Sequence, residues 1–182
     1  MILEKVFRKT VKMLEKHDFQ YLIIGGIAAG AIGEPRATGD IDINIHIKKN
    51  LLKKFLGYAQ TAGFTFDKNE LSSRVKETGT FQIWCGDFHV DFLISSTKFE
   101  ESALKRKQRI RIFGVEANFP TAEDLILFKV VPARYIDLAD AENIAIRHKG
   151  KLDEKYLLDW AKKLSDEAED MRIFQEVKKL LK

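Results

Sequence analysis

From Gly39 to Ile47 the chain reads Gly39-Asp40-Ile41-Asp42-Ile43-Asn44-Ile45-His46-Ile47, with isoleucine at every second place. Successive side chains of a β-strand point to opposite faces, so this alternation specifies a strand that buries its isoleucines on one side. The other side then carries Asp40, Asp42, Asn44 and His46. A strand anchored in this way holds two carboxylates next to each other, facing solvent or a cleft. Upstream, the apolar run Tyr21-Leu22-Ile23-Ile24 closes on Gly25-Gly26 and continues as Ile27-Ala28-Ala29-Gly30-Ala31-Ile32, small residues suited to a short helix packed close to a sheet. Glycine allows a backbone to approach a phosphate, and the first turn of a helix offers free N–H groups with a favourable dipole.

Aspartates at i and i+2 on one strand face can share divalent ions if a neighbouring strand adds a third carboxylate. Asp91, in His89-Val90-Asp91-Phe92-Leu93, lies opposite Val90 and Phe92 and fits that place. Oxygen ligands suit Mg²⁺ or Mn²⁺, and crowded carboxylates repel one another unless a cation joins them. The expected site is metal-dependent and takes phosphate.

The remaining pattern places these parts in an α+β fold. Leu3, Val6, Phe7, Val11 and Leu14 fall at helical spacing, and Leu51, Leu52, Phe55, Leu56 and Ala59 mark a second amphipathic helix ending near Gly63. The middle of the chain reads as β-rich. Phe81-Ile83-Cys85 and Phe88-Val90-Phe92 alternate with polar residues about Gly86-Asp87, as in a hairpin, and a further strand pair runs from Arg109 to Phe119 with a turn near Gly114. Thr121 followed by Asp124 is a helix start, and the pattern stays helical to Lys182 apart from breaks at Pro132 and Gly150. The expected architecture is a small mixed sheet flanked by helices on one side. Residues 1–136 would form the core, and residues 137–182 a C-terminal helical region packed on it as the other wall of the cleft.

In combination, Gly25-Gly26, Asp40-Ile41-Asp42 and Asp91 resemble the signature of the nucleotidyltransferase superfamily with the DNA-polymerase-β-like fold. The approach Arg36-Ala37-Thr38-Gly39-Asp40 and the segment Asp124 to Asp140 are similar to stand-alone minimal members and to abortive-infection toxins. The resemblance covers residues from about 20 to 145. It implies an enzyme that moves an NMP from an NTP to a hydroxyl acceptor and releases pyrophosphate. Asp40, Asp42 and Asp91 would hold Mg²⁺ (or Mn²⁺). Gly25 and Gly26 would contact the β- and γ-phosphates, Lys129 would steady the triphosphate, and Arg36 and Thr38 would touch phosphate or acceptor. Two departures stand out: Ile27 follows the glycines where many members place a polar residue, and Pro132 threatens to kink the helix carrying Lys129.

Each feature also has a plainer reading. The aspartates alone would suit the solvated face of an edge strand, Lys129 a snorkelling helix lysine, and Arg134 with Asp137 a structural i,i+3 pair. His46 and His89 read as neighbours of the site rather than ligands, and Cys85 as a small core residue. The basic run Lys98, Lys105, Arg106, Lys107, Arg109 and Arg111 reads first as a charge-protected edge strand and second as a track for RNA. The net charge of +4 permits an anionic acceptor such as tRNA, and a partner protein is the other candidate. It argues mildly against an acidic pocket for a cationic antibiotic. The alternative function is an idle, antitoxin-like binding subunit of the same fold. A single cysteine, an N-terminus unlike a signal peptide and no run near the roughly 20 apolar residues of a membrane span point to the cytoplasm.

Overall fold

The computed structural model describes residues 2–182. Helix α1 (Leu3–Lys16) leads into strand β1 (Gln20–Ile24), helix α2 (Gly25–Ile32) and strand β2 (Ile41–His46). Helices α3 (Lys49–Thr61) and α4 (Lys68–Thr78) precede the hairpin of β3 (Thr80–Cys85) and β4 (Phe88–Ile94). Helix α5 (Lys98–Lys105) and a second hairpin, β5 (Gln108–Ile112) with β6 (Val115–Phe119), come next. Four helices follow: α6 (Ala122–Val130), α7 (Tyr135–Arg147), α8 (Glu154–Ala168) and α9 (Arg172–Leu180).

The main sheet has the order β1-β2-β4-β3, and β5 and β6 form a separate pair. β2 runs parallel to β4, while β1 pairs with β2 and β3 with β4 antiparallel, so the sheet is mixed. A parallel pair requires a crossover, which α3, α4 and β3 supply. Register partners share a face. Tyr21 and Ile45, Ile23 and Ile43, Phe92 and Phe81, and Ile41, Val90 and Ile83 therefore build one apolar side. Phe55 of α3 meets Phe81 and Phe92 edge-on at 5.5 and 5.2 Å, and those two rings stack at 4.8 Å. Helix α1 lies over the same side, where Tyr21 Oη donates to Glu15 Oε1 at 2.6 Å and Lys9 Nζ reaches Cys85 Sγ at 3.3 Å. All four isoleucines of the alternating stretch are buried, as the pattern requires.

The second face is covered as well, which the expectation of helices on one side did not include. The cover is α5. Asn44 Nδ2 donates to Glu100 Oε1 of that helix at 2.7 Å, and both side chains are buried. Thr97 and Glu100 form a reciprocal capping box that starts α5, so Lys98 and Lys105 lie on a helix and not on an edge strand. Helix α4 is the other element that the β-rich reading of the middle passed over. Its sequence, KNELSSRVKET, buries only Leu71 and offers almost no apolar stripe.

Thr121 caps α6 as its sequence indicates, accepting from the Asp124 N–H at 3.3 Å. Asp124 is fully buried and takes bonds from Tyr156 Oη at 2.6 Å and Arg106 Nε at 3.1 Å, which joins the end of α5, the start of α6 and α8. Helix α6 packs against α7, α8 and α9, and α2 packs against both α6 and α7. Among the described residues no helix is long and apolar enough to cross a membrane.

Candidate metal centre

The site begins where β1 gives way to α2. Gly25 has φ +68°, and a Cβ there would stand 1.8 Å from Asp42 Oδ2. The absent side chain is thus the space that the carboxylate fills. A Cβ on Gly26 would lie 2.5 Å from Thr38 Oγ1 and 3.2 Å from Arg36 Nη2. Both glycines are required by the close approach of the segment that delivers the aspartates.

Asp42 sits in β2, and its register partner on the parallel strand β4 is Asp91. Parallel register puts both carboxylates on one face, the face opposite the isoleucines. Asp40 precedes β2, and its Oδ1 accepts from Thr38 Oγ1 at 2.7 Å. One carboxylate oxygen from each of Asp40, Asp42 and Asp91 lies within 4.8 Å of the others, and all three residues are half-buried. Burial first, then the Asp40 and Asp91 carboxylates, push the Asp42 carboxyl up to about 6 against the opposing pull of Lys129 and Arg134. His89 Nε2 stands 3.2 Å from Asp91 Oδ2, while His46 is exposed at the other end of β2.

This donor set fits a divalent cation. It is all carboxylate oxygen, the choice of hard ions such as Mg²⁺ and Mn²⁺. Its charges are crowded enough to disfavour ionisation of Asp42, a cost that a bound cation would relieve. The Gly25 cradle leaves Asp42 free of a side-chain neighbour on that side.

Beside Asp42 opens a cavity of about 340 Å³, lined among others by Gly25, Phe99, Phe128, Lys129 and Arg134. Lys129 reaches this wall from α6, but its ammonium is buried and engaged. Nζ lies 2.9 Å from Asp137 Oδ1 and 2.8 Å from Asp140 Oδ2. Asp140 also takes a two-pronged contact from Arg36, Nε at 2.9 Å and Nη2 at 3.0 Å. Arg134 Nε donates to Asp137 Oδ2, so the i,i+3 pair read from the sequence is present. Burial alone would raise the Asp137 carboxyl, yet Arg134 and Lys129 hold it below its ordinary value. Pro132 lies beyond the end of α6 and does not kink it.

Of the residues singled out in the sequence, Gly25, Gly26, Thr38, Asp40, Asp42 and Asp91 converge on one spot. Arg36 and Lys129 stand behind it in a chain of ion pairs. The sequence includes Asp137 and Asp140 in the resemblance and pairs Asp137 with Arg134, but it does not indicate that both acids hold Lys129 or that Asp140 also holds Arg36. Three of the six members of the basic run are engaged within the fold. Arg106 pairs with Asp124 and Glu123 and lies 3.8 Å from the Tyr156 ring, Arg109 pairs with Glu15 at 2.7 Å, and Lys107 bonds Gln20 at 2.8 Å.

Two solved structures resemble the chain over nearly its whole length. A candidate nucleotidyltransferase from H. pylori shares 16% identity, with 98% of this chain and 92% of that one covered and a TM-score of 0.52. The antibiotic-resistance factor ANT(2'')-Ia shares 12% identity, with 98% and 88% covered and a TM-score of 0.52. No protein-family profile and no curated protein matches the chain in sequence. Likeness at such low identity is likeness of fold, and the fold is that of the nucleotidyltransferases.

Proposed function

We propose that this chain, with its nucleotidyltransferase fold, moves an NMP from an NTP to a hydroxyl on an acceptor and releases pyrophosphate. The observation that carries the reading is the convergence of Asp40, Asp42 and Asp91 beside the glycine-opened N-terminus of α2. Mg²⁺ or Mn²⁺ held by the three carboxylates would neutralise phosphate charge and lower the barrier to in-line displacement. The chain's own residues bind and orient. Gly25 and Gly26 let the triphosphate approach the first N–H groups of α2, which favour an anion. Arg36 and Thr38 shape the loop that carries Asp40, through Asp140 on one side and through the Thr38 hydroxyl on the other. The cation for the far phosphates comes from the α6–α7 segment, where Lys129 and Arg134 both lie near Asp42. The acceptor oxygen bonds the α-phosphorus as the bond to the leaving pyrophosphate breaks, and the hydroxyl proton passes to solvent.

An idle binding subunit would not need three mutually repelling carboxylates, one of them seated against a side-chain-free glycine, and this supports transfer over it. The test is a thermal-shift series with each NTP, with and without Mg²⁺ or Mn²⁺, beside Asp42→Asn. A metal-dependent rise in melting temperature that the variant lacks supports the reading. No shift with any nucleotide at millimolar concentration, or an equal shift in the variant, rejects it.

A further inference from the structure

Lys129 and Arg134 stand on the same cavity, and they differ in how much of their bonding capacity is left over. The Lys129 side chain is 4% exposed, and its ammonium contacts two carboxylates that are themselves buried. Drawing it toward a substrate would strand Asp137 and Asp140 without that partner, an arrangement that is strongly disfavoured inside a protein. Arg134 is the reverse case, with a side chain 72% exposed. Its Nε is fixed by Asp137, while its two terminal nitrogens make no hydrogen bond among the described residues. It also lies within electrostatic reach of Asp42 and Asp40, the carboxylates that would hold the cation.

On the nucleotidyl-transfer reading given above, we propose that Arg134, and not Lys129, is the side chain that meets the donor's triphosphate. Lys129 is a positioning residue. It holds one oxygen of Asp137 while the other oxygen holds Arg134 Nε, so the guanidinium is presented at the cavity mouth with its fork free. A planar guanidinium fork matches two phosphate oxygens in a way that an ammonium cannot, and anchoring it at Nε reduces the freedom lost on binding. Behind this pair, Asp140 uses Lys129 and Arg36 together to fix the same wall to the loop that carries Asp40.

The experiment measures Mg²⁺-dependent affinity for each of the four NTPs and its monophosphate by titration calorimetry. It compares the parent chain with Arg134→Gln, Arg134→Lys and Lys129→Met, with a melting curve for each. Arg134→Gln is expected to melt somewhat below the parent, because Asp137 keeps only Lys129, and to weaken NTP binding about 10- to 100-fold with little change for the monophosphate. Arg134→Lys should recover part of that preference, and Lys129→Met should melt clearly lower than the parent. The proposal is overturned by an Arg134→Gln chain that keeps the parent's preference for triphosphate over monophosphate. It is equally overturned by a Lys129→Met chain that melts like the parent and loses that preference. Either of those results leaves nucleotidyl transfer standing, whereas a parent chain that binds no NTP in Mg²⁺ removes both.

Discussion

Asp40, Asp42 and Asp91 bring three carboxylates within 4.8 Å of one another, while Asp137 and Asp140 beside them each hold two cations. Both groups are centred on aspartates that the fold buries at least in part. They differ in whether the protein itself completes them. Behind the cavity every carboxylate is matched, and the Asp137 carboxyl is held low despite its burial. At the three-aspartate cluster the Asp42 carboxyl is driven up by burial and by its like-charged neighbours. Charge that is satisfied within the fold holds position. Charge left crowded, as at Asp42, is charge that a bound cation would offset.

The contrast breaks most visibly if the unsatisfied group is altered. Asp91→Asn should keep the fold and lower metal-dependent transfer on the order of 1,000-fold, the several kcal/mol of a mispositioned cation, as read in single-turnover assays. An activity within threefold of the parent would show that the three carboxylates do not act together. The satisfied group should respond in stability instead. Asp140→Ala leaves Lys129 and Arg36 short of a partner and should cost about 3–5 kcal/mol in urea unfolding. Loss of activity in that variant at unchanged stability would place Asp140 in the chemistry.

A third test uses proton linkage, because the two groups have opposite signs. Asp42 takes up its proton more readily in the folded chain, with a value near 6 against the ordinary 3.8. Its contribution to stability is therefore most favourable below pH 4, falls as the pH rises toward 6 and stays low above that. Without added metal, Asp42→Asn should be more stable than the parent at pH 7 by up to about 3 kcal/mol. That gap should vanish near pH 4 and should narrow at pH 7 when Mg²⁺ is added. Asp137 is held low, so its contribution is present at neutral pH and is lost as the pH falls through its folded value. Denaturation curves from pH 8 down to well below 3.8 check both signs, Asp42 between pH 4 and 6 and Asp137 on the acid side of 3.8, and an Asp42 gap that stays flat would refute the crowding there. Gly25→Ala carries a small backbone cost but acts directly on Asp42. A methyl group at φ +68° costs about 1–2 kcal/mol in backbone strain alone. It must also displace Asp42, so metal-induced stabilisation should fall further than the strain accounts for.

The parts of the site that the sequence disclosed are those with a local rule behind them. The isoleucine alternation fixed β2 and the face of Asp42, and the polar–apolar alternation around Asp91 put its carboxylate on the open side of β4. Gly25-Gly26 marked the turn into α2. What escaped has no local rule. Arg36 and Asp140 are 104 residues apart, and nothing near either one announces the other. Lys129 was legible as a helix lysine near the site, but its burial depends on α7 folding back against α6. Helix α4 was missed because it buries one residue, although Asp67 as its cap and Gly79 in the left-handed conformation at its end were both in view. The capping box of α5 was equally plain in Thr97 and Glu100, and the surrounding lysines and arginines drew the eye to charge instead.

Parallel pairing of β2 with β4 has a consequence for the order of assembly. Strands that meet in parallel cannot zip from a tight turn, and their union waits for the whole crossover through α3, α4 and β3 to collapse. Asp42 and Asp91 are strangers until that late moment, and a ribosome must release about half the chain before they can meet. On the proposed function, cation capture by all three carboxylates would therefore report that β2 and β4 have paired, and a chain with only its first hairpin in place would lack that site.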